Sequence, residues 1–446
     1  MTDYRAEADA IFASLLARIG EGNPQPRLDA TRLAVDYLGN PQEMYSVVTV
    51  TGTNGKTSTA RMIESLLRAH GLRVGLMTSP HLQRVNERII IDGEPISDER
   101  FVENWRDVEF QIGLADNELV DAGKEPLTYF EALTVLAFAA FADAPVDIAV
   151  LEVGMGGEWD STNVADADIA VFTPIDIDHA ERLGNTVTEI ARTKAGIIKP
   201  GSIVVTAGQV PEALGEILNA AEKCESTVVA EGDGFELLST QSAVGGQVLC
   251  VRGRAAMYSD VPLTLHGEHQ AHNAALAIAA VESLLGDGSR AITTEILSEG
   301  LGTVTSPGRL QYLGAEPAII VDAAHNPHGA NALAKTIMGT LPFSRVWCVF
   351  GVLGDKDARG IVEALDPAVE GFIVTQSQSD RALAADRLAE LVAAVAGPDR
   401  VRIEPRLSDA VLAAKGSLDA GDAIIITGSI TLVGDAITLA QEEGWK

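Results

Sequence analysis

Short apolar runs alternate with amphipathic stretches along almost the whole chain, a pattern typical of α/β proteins with a mostly parallel sheet. Residues 45–51 predict a buried strand, and a glycine-bearing turn separates them from 57–70, where apolar residues recur at helical spacing. Further strands are predicted at 73–77, 146–152, 168–173 and 202–206. Further helices are predicted at 127–142, 186–197 and 211–223, and Thr186 and Glu189 form a capping box before the second of these.

The remaining pattern divides the chain into two parts. Residues 234–265 alternate short β-like segments with glycines, which predicts an antiparallel patch, and the alanine-rich stretch 270–286 predicts a helix. A second α/β series has strands near 318 and at 345–350, 371–375 and 423–427. The glycine- and proline-containing stretch 302–308 suits a hinge between them. We therefore expect the α/β class, with domains at 1–302 and 303–446.

Composition and charge narrow the classes of function. The chain has 446 residues, of which 46% are hydrophobic and 22% charged, as in globular proteins. With 33 Lys and Arg against 63 Asp and Glu, the formal net charge of −30 argues against nucleic acid or an anionic membrane as a partner. A small anionic ligand would need a local pocket that offsets this field.

Cysteine spacing and the absence of long apolar runs narrow the expected compartment. The three cysteines are far apart, so the spacing predicts neither a disulfide framework nor a zinc site. The sequence shows neither a signal-peptide pattern nor a long uncharged apolar stretch. We therefore expect a cytoplasmic protein without membrane spans.

The segment Gly52-Thr-Asn-Gly-Lys-Thr57 lies between a predicted strand and a predicted helix. In that context its backbone N–H groups would face a polyphosphate, Lys56 would neutralise phosphate oxygens and the Thr57 hydroxyl would reach Mg²⁺. The full Walker pattern requires another glycine, but Val50 stands at that position. The segment therefore predicts a shortened phosphate loop. The alternative is an ordinary strand–helix turn that happens to contain a lysine.

Polar side chains that follow two predicted strands suggest a metal site. Glu152 ends the strand at 146–152, and His179 follows the strand at 168–173 by a few residues. The carboxyl ends of parallel strands border the ligand crevice of such sheets, where a carboxylate can hold Mg²⁺. The alternatives are an exposed glutamate at a strand end and a hydrogen-bonded loop histidine.

The ordered set of motifs resembles the folylpolyglutamate synthase/dihydrofolate synthase family of the Mur ligase superfamily. The motifs that carry this resemblance run in order through the chain: Gly52-Thr-Asn-Gly-Lys-Thr57, Ser79-Pro-His-Leu82, Leu127-Thr-Tyr-Phe-Glu131, Glu152-Val-Gly-Met-Gly-Gly157, Asp160-Ser-Thr-Asn163, Asp178-His179, Lys194-Ala-Gly-Ile197, His269-Gln-Ala-His-Asn273, Ser306-Pro-Gly-Arg309 and Asp322-Ala-Ala-His-Asn-Pro327. The resemblance implies an N-terminal P-loop-type ATPase domain with a mostly parallel sheet and a smaller, Rossmann-like C-terminal domain.

The resemblance also implies roles for the matching positions. The ATP-binding set is Thr53, Asn54, Gly55, Lys56, Thr57, Ser58, Asn273, Arg309, Asp322 and His325. The Mg²⁺ set, for which two ions are expected, is Thr57, Ser79, Glu152 and His179. The catalytic set is Lys56, Lys194 and His179.

The resemblance also implies roles for Lys194, Phe130 and Asp160. Lys194 matches a lysine that is carbamylated in the superfamily, whereas by itself it would be an ordinary lysine on a helix surface. Phe130 and Asp160 match positions beside the pteroate moiety, where an aromatic face can stack on a flat heterocycle and a carboxylate can accept its N–H groups. On its apolar helix, Phe130 would otherwise be a core residue.

The activity implied by the resemblance is ATP-dependent amide formation through an acyl phosphate. L-Glutamate would be joined to dihydropteroate and to folates, so the expected partners are small molecules and the expected state is a monomer. The nearest alternative is a ligase that adds an amino acid to a UDP-muramoyl substrate. A more distant one is a nucleotide-switch NTPase, in which hydrolysis drives a partner.

Overall fold

The structure of the protein, a computed structural model, describes residues 3–20, 23, 25–178 and 180–445. It divides into two units. The first comprises Met1–Ser239, Leu249–Pro262 and His272–Val304, and the second Thr240–Val248, Leu263–Ala271 and Thr305–Lys446. One predicted site residue, His179, lies outside the described residues.

An eight-stranded sheet forms the centre of the first unit. Its strands are β1 Ser46–Thr51, β2 Val74–Met77, β3 Ile89–Ile91, β4 Glu94–Pro95, β5 Ile148–Glu152, β6 Ile169–Phe172, β7 Ile203–Thr206 and β8 Thr227–Ala230. They lie in the order β4-β3-β2-β5-β1-β6-β7-β8. All neighbours from β2 to β8 are parallel, and β3 and β4 extend one edge in antiparallel fashion. The predicted strands are therefore confirmed as one mostly parallel sheet.

The helices described in this part of the chain are α1 Tyr4–Leu16, α2 Asp29–Tyr37, α3 Lys56–Ala69, α4 Asp98–Asp121, α5 Tyr129–Asp143, α6 Ala180–Leu183, α7 Val187–Ala195 and α8 Pro211–Lys223. The predicted capping box before α7 is confirmed, because the Thr186 side chain accepts from the backbone N–H of Glu189 and the Glu189 carboxylate accepts from that of Thr186. Strand β5 is buried at every position, as expected for a strand covered on both faces.

A small sheet and two helices follow along the chain. Strands β9 Glu236–Ala243, β10 Gly246–Arg252 and β11 Met257–Leu263 lie in the order β11-β10-β9. A connection of two residues joins β9 to β10, and so short a link permits only antiparallel neighbours. Helices α9 Glu268–Gly286 and α10 Thr294–Gly302 come next. The predicted antiparallel patch and alanine-rich helix are both present.

A six-stranded sheet forms the centre of the second unit. Its strands are β12 Gln311–Ala315, β13 Ala318–Asp322, β14 Val346–Phe350, β15 Gly371–Val374, β16 Val401–Ile403 and β17 Ala423–Thr427, in the order β12-β13-β17-β14-β15-β16. Only β12 is antiparallel to its neighbour. The helices are α11 Pro327–Gly339, α12 Ala358–Leu365, α13 Ala385–Ala396, α14 Leu407–Lys415 and α15 Ile430–Glu443. The predicted α/β class is thereby confirmed for both units.

Two further findings concern the whole described chain. Within the described residues, no helix is long and apolar enough to span a membrane. The thiols of Cys224, Cys250 and Cys348 are free.

Candidate active site

The predicted phosphate loop connects β1 to α3 and depends on two glycines. Gly52 has φ +145° and Gly55 has φ +89°, and only glycine adopts such values without strain. A Cβ atom on Gly52 would lie 1.9 Å from Thr173 Oγ1, and one on Gly55 would lie 2.8 Å from Asn273 Oδ1. Helix α3 begins at Lys56, so its N-terminal N–H groups follow the loop directly. The short distance from Gly55 also shows that the buried side-chain amide of Asn273, on α9, lies against the loop.

The loop is tied to the segment that follows β6. The Thr53 hydroxyl donates to the carbonyl of Asp176 at 2.8 Å, and the Asp176 backbone N–H donates back to that hydroxyl at 2.9 Å. The Thr53 N–H also donates to the carbonyl of Pro174 at 2.9 Å. This two-way anchoring fixes the loop against the turn that leads towards residue 179.

Two lysines share one backbone carbonyl at the loop. Lys194 Nζ donates to the carbonyl of Gly52 at 2.7 Å, and Lys56 Nζ donates to the same oxygen at 3.2 Å and to the carbonyl of Thr53 at 3.1 Å. Lys194 is only 4% exposed. Its burial and the nearby Lys56 charge lower the pKa of Lys194 to about 7. The sequence taken without the resemblance placed this lysine on a helix surface, and that expectation is wrong.

Three of the four predicted Mg²⁺ ligands lie together beside the loop. The Thr57 hydroxyl donates to Glu152 Oε1 at 2.7 Å, and the Ser79 backbone N–H donates to Glu152 Oε2 at 3.2 Å. Glu152 is 1% exposed at the end of β5, which pairs with both β1 and β2. In the described part of the chain, no group of three or more His, Cys, Asp or Glu residues could hold a metal. This cluster instead offers one carboxylate and two hydroxyl-bearing side chains, which are hard oxygen donors of the kind Mg²⁺ prefers.

The two predicted pteroate contacts lie on either side of Gly154. A Cβ atom there would be 2.8 Å from the Phe130 ring and 3.3 Å from Asp160 Oδ2. Both Asp160 oxygens already accept hydrogen bonds: Oδ2 from the Met155 N–H at 2.9 Å, and Oδ1 from the N–H and hydroxyl of Thr162 at 3.0 and 2.6 Å. Burial raises the pKa of the Asp160 carboxyl, and these hydrogen bonds act against that rise. Asp160 thus holds the loop beneath the half-buried Phe130 ring.

An ion pair that the sequence reasoning missed fixes the start of α5, the helix that carries Phe130. Arg27 binds both carboxylate oxygens of Glu131, at 3.0 and 2.9 Å, and donates to the carbonyls of Glu125 and Pro126. Glu131 in turn accepts from the backbone N–H of Thr128, the N-cap of α5. The capping-box spacing of Thr128 and Glu131 was visible in the sequence, but the arginine lies 104 residues before its partner.

A second missed cluster surrounds His81 in the Ser79–Leu82 motif. Arg88 Nε donates to His81 Nδ1 at 2.8 Å, and the Arg88 guanidinium lies over the Tyr129 ring, 5.3 Å from its centroid. The Phe12 ring meets the His81 ring edge-on at 5.5 Å and the Tyr129 ring at 6.3 Å. Burial and the Arg88 charge lower the pKa of His81 to about 3. The motif was predicted from the resemblance, but no role was predicted for its histidine.

The second unit places its three predicted ATP contacts around the end of β13. The buried carboxylate of Asp322 accepts from the N–H groups of Leu310 at 3.0 Å and Ala324 at 2.9 Å. Burial raises the pKa of Asp322, and the positive charge of Arg309 acts against that rise. The His325 ring contacts the carbonyl of Ala323 through Nδ1 at 2.9 Å. Arg309, Asp322 and His325 thus lie close together on neighbouring turns of this unit.

Comparison with known protein families identifies both parts of the chain. The Mur ligase middle domain family matches residues 50–281. The family described as Mur ligase, glutamate ligase domain matches residues 308–430.

Individual relatives match over nearly the whole chain. A dihydrofolate synthase/folylpolyglutamate synthase of Mycobacterium tuberculosis is 45% identical, over 93% of this chain and 91% of the relative. The structure of Mycobacterium tuberculosis folylpolyglutamate synthase complexed with ADP superposes with a TM-score of 0.94 at 43% identity, over 98% of this chain and 99% of the other. E. coli FolC in complex with DHPP and ADP superposes with a TM-score of 0.85 at 28% identity, over the full length of both chains.

Proposed function

This chain belongs to the dihydrofolate synthase/folylpolyglutamate synthase family, and on that premise we propose that it joins L-glutamate to dihydropteroate and to reduced folates at the expense of ATP. One observation carries the assignment to this chain's own site. The phosphate loop, the buried Lys194 and the oxygen cluster around Glu152 converge on the ends of β1 and β5. Phosphoryl transfer onto a carboxylate needs positive charge and metal ligands at one point.

Each unit contains residues that we propose as ATP contacts. In the first unit, the loop residues Thr53 to Ser58 would surround the phosphates, and Asn273 would contact the adenine. In the second unit, Arg309 and His325 would act near the phosphates and Asp322 at the ribose. The ADP complexes of the relatives support nucleotide binding at a site of this family.

The proposed Mg²⁺ ligands are Thr57, Ser79, Glu152 and His179, with two ions expected. The buried Glu152 carboxylate and the Thr57 hydroxyl fit a hard divalent cation, because their oxygens lie 2.7 Å apart and at the phosphate loop. When bound there, Mg²⁺ would neutralise charge on the phosphoryl oxygens.

We propose that Lys194 is carbamylated. A neutral amine attacks carbon dioxide, the new N–C bond forms, and one proton is released, leaving a carbamate with a negative charge. Burial disfavours the Lys194 cation and lowers its pKa to about 7. Roughly half of the Lys194 amines are therefore neutral near pH 7. The resulting anion would help to hold the second metal ion.

The acid substrate is proposed to bind next to Phe130 and Asp160. The half-buried Phe130 ring can stack on a pterin, and Gly154 leaves the ring face free of a side chain. Asp160 Oδ2 accepts from the Met155 N–H and, as a carboxylate oxygen with two lone pairs, can also accept from an N–H group of the pterin, so Asp160 would contact the substrate and hold Met155 beneath that ring.

The proposed reaction has two steps. A carboxylate oxygen of the acid attacks the γ-phosphorus of ATP, the bond to the bridging oxygen breaks, ADP leaves and an acyl phosphate forms. The amine of L-glutamate then attacks the acyl carbon, phosphate leaves with that oxygen, and loss of a proton gives the amide. Lys56 and the loop N–H groups stabilise the charge that moves during the first step. Exclusion of water protects the acyl phosphate from hydrolysis.

The remaining proposals concern the domain boundary, the oligomeric state, the cellular compartment and the partners of the protein. We propose a domain boundary between residues 302 and 303, which lies in the connection between α10 and β12. We also propose a monomer in the cytoplasm, where ATP is available as a substrate, and no nucleic-acid partner in view of the net charge of −30.

Mass spectrometry of the products tests the proposal directly. The purified protein is given ATP, Mg²⁺, L-glutamate and either dihydropteroate or tetrahydrofolate, and each product should be heavier by one or more glutamyl residues. With ¹⁸O in the substrate carboxylate, one labelled oxygen should appear in inorganic phosphate. ATP turnover that requires a UDP-muramoyl substrate, or that yields no glutamate-dependent product, would overturn the assignment.

A further inference from the structure

The hydrogen-bond pattern around His81 fixes where its ring carries a proton. Arginine has only donors, so the 2.8 Å contact from Arg88 Nε makes His81 Nδ1 an acceptor. An imidazole that accepts at Nδ1 is neutral and carries its single proton on Nε2. His81 therefore presents one N–H donor, at Nε2, in a defined tautomer.

The ring is also held in place by its neighbours. Phe12 packs edge-on against it at 5.5 Å, and Arg88, itself buried, is sandwiched between His81 and the Tyr129 ring. The turn at Val85–Arg88 that positions Arg88 is closed by Glu87, whose carboxylate accepts the N–H groups of Leu82 and Arg84. The orientation of the Nε2–H bond is thus preorganised.

The position of His81 suggests what the donor is for. His81 follows Ser79, whose N–H donates to Glu152 at the phosphate-transfer end of the site. Through Phe12 and Arg88 it contacts Tyr129, the residue before Phe130 at the aromatic end. The side chain is partly exposed, and Nε2 makes no hydrogen bond to any residue that the structure describes. A rigid donor without a partner among the described residues is thus linked to both ends, through Ser79 and through Tyr129.

Building on the proposed function, we propose that His81 is a substrate-binding residue whose Nε2–H donates a hydrogen bond to an acyl oxygen, carboxylate or amide carbonyl, of the pteroyl acid. The donor orients the acid along the line from Phe130 to the phosphate loop. Because the ring is neutral and Arg88 blocks Nδ1, His81 neither gives nor takes a proton in the reaction.

Two matched variants separate this role from a structural one. In His81→Asn the side-chain oxygen can still accept from Arg88 in place of Nδ1, but the donor at Nε2 is lost. In His81→Gln the amide reaches the Nε2 position and keeps the donor, while the Arg88 contact is lost. We expect the KM for dihydropteroate or tetrahydrofolate to rise about fivefold to tenfold in His81→Asn and to stay within about twofold in His81→Gln. The KM for ATP should stay unchanged in both.

A spectroscopic measurement gives a second readout. The chain has 8 histidines, so ¹⁵N-histidine labelling yields few ring signals, and His81→Asn identifies the one from residue 81. That signal should show the Nε2–H tautomer and should shift when dihydropteroate is added with a non-hydrolysable ATP analogue, but not with the analogue alone. Equal KM changes in the two variants, or a signal that ignores dihydropteroate, would overturn the inference. If the unmodified protein ligated no glutamate at all, the proposed function itself would fail.

Discussion

At the scale of single residues, Lys194 shows how far burial changes an ordinary side chain. A lysine with its usual pKa is neutral in roughly one molecule in three thousand at pH 7. Inside α7, facing the Gly52 carbonyl, the pKa of Lys194 is lowered to about 7, first by burial and then by Lys56. The neutral fraction therefore becomes large near neutrality, which is the chemical requirement for attack on carbon dioxide.

We expect carbamylation of Lys194 to increase between pH 6 and pH 8 at a fixed pressure of carbon dioxide, because deprotonation of an amine with pKa about 7 supplies the nucleophile. NMR with ¹³C-labelled carbon dioxide should show one carbamate signal. Lys194→Ala should lose that signal and activity together, and short carboxylates should restore part of the activity. Lys199→Ala serves as the control, since Lys199 Nζ binds the Asn163 carbonyl outside the loop. An unmodified Lys194 in fully active protein would contradict this expectation.

Lys56→Ala should lower kcat by about 10²- to 10³-fold, because it removes the loop cation that balances charge during phosphoryl transfer. The KM values for folate and glutamate should change far less. Steady-state kinetics of phosphate release measures this effect, with the exposed Lys124→Ala as a charge-matched control. A rate equal to that of the unmodified protein would exclude Lys56 from phosphate chemistry.

At the scale of elements, the ends of strands and the starts of helices position the side chains of the site. The loop after β5 passes directly under the Phe130 ring, on α5, at Gly154. Position 154 has no Cβ atom, so the loop backbone can lie close to the ring.

We expect Gly154→Ala to raise the KM for dihydropteroate severalfold, because a Cβ atom 2.8 Å from the Phe130 ring forces the ring to move. The KM for ATP should stay near its normal value, since the phosphate loop follows a different strand. Substrate titrations of the variant test this, with Gly113→Ala on α4, where a Cβ meets nothing within 4 Å, as a steric control. Matching KM changes in both variants would count against steric contact with Phe130.

The Arg27–Glu131 pair should stabilise the start of α5. Arg27→Met leaves a buried carboxylate without its cation, at a cost of about 3 kcal/mol, and the thermal midpoint should fall by roughly 3–5 °C. The double variant Arg27→Met, Glu131→Gln should recover part of the loss, because the buried negative charge is gone. Thermal unfolding followed by circular dichroism measures both. No recovery in the double variant would place the effect of Arg27 in its bonds to the backbone carbonyls.

The elements themselves were readable from the sequence where periodicity is strong. The apolar runs of β1, β5 and β6 and the capping box of α7 were predicted close to their observed bounds. Helix α4 was missed, although Ser97 supplies its N-cap and Phe101, Trp105, Val108 and Ile112 follow at helical spacing. Its many charged residues obscured that apolar stripe.

The arrangement of side chains at the site was less accessible. The resemblance supplied Lys56 and Lys194, but their shared contact with Gly52 depends on how α7 packs after β6, which no local pattern encodes. The His81 tautomer likewise follows from a turn that brings Arg88 back to it seven residues later. Such contacts arise from tertiary packing, whereas sequence patterns report local periodicity.

At the scale of the whole molecule, the net charge of −30 opposes every proposed substrate, since ATP, glutamate and folates are all anions. Salt screens such long-range repulsion over about 10 Å at 0.1 M. The site must therefore attract its substrates at short range, through the loop N–H groups and its lysines.

We expect kcat/KM for a polyglutamylated folate to rise as ionic strength increases from about 20 to 150 mM, since screening weakens the repulsion between molecule and substrate. A tetramethylammonium salt avoids specific cation effects, and folate with a single glutamate should respond less. A fall in kcat/KM with salt would show that local positive charge dominates the approach of the substrate.

The N-terminal helices have a practical consequence. Similarity to the Mur ligase middle domain starts at residue 50, yet Phe12 packs against His81 and Tyr129, and Arg27 binds Glu131, on either side of Phe130 in the sequence. A version that began at residue 50 would expose Tyr129 and leave the Glu131 carboxylate without Arg27. Protein prepared for inhibitor screening should therefore retain α1 and the segment that contains Arg27. Without them, the affinities of antifolates would be measured on a site that has lost these contacts.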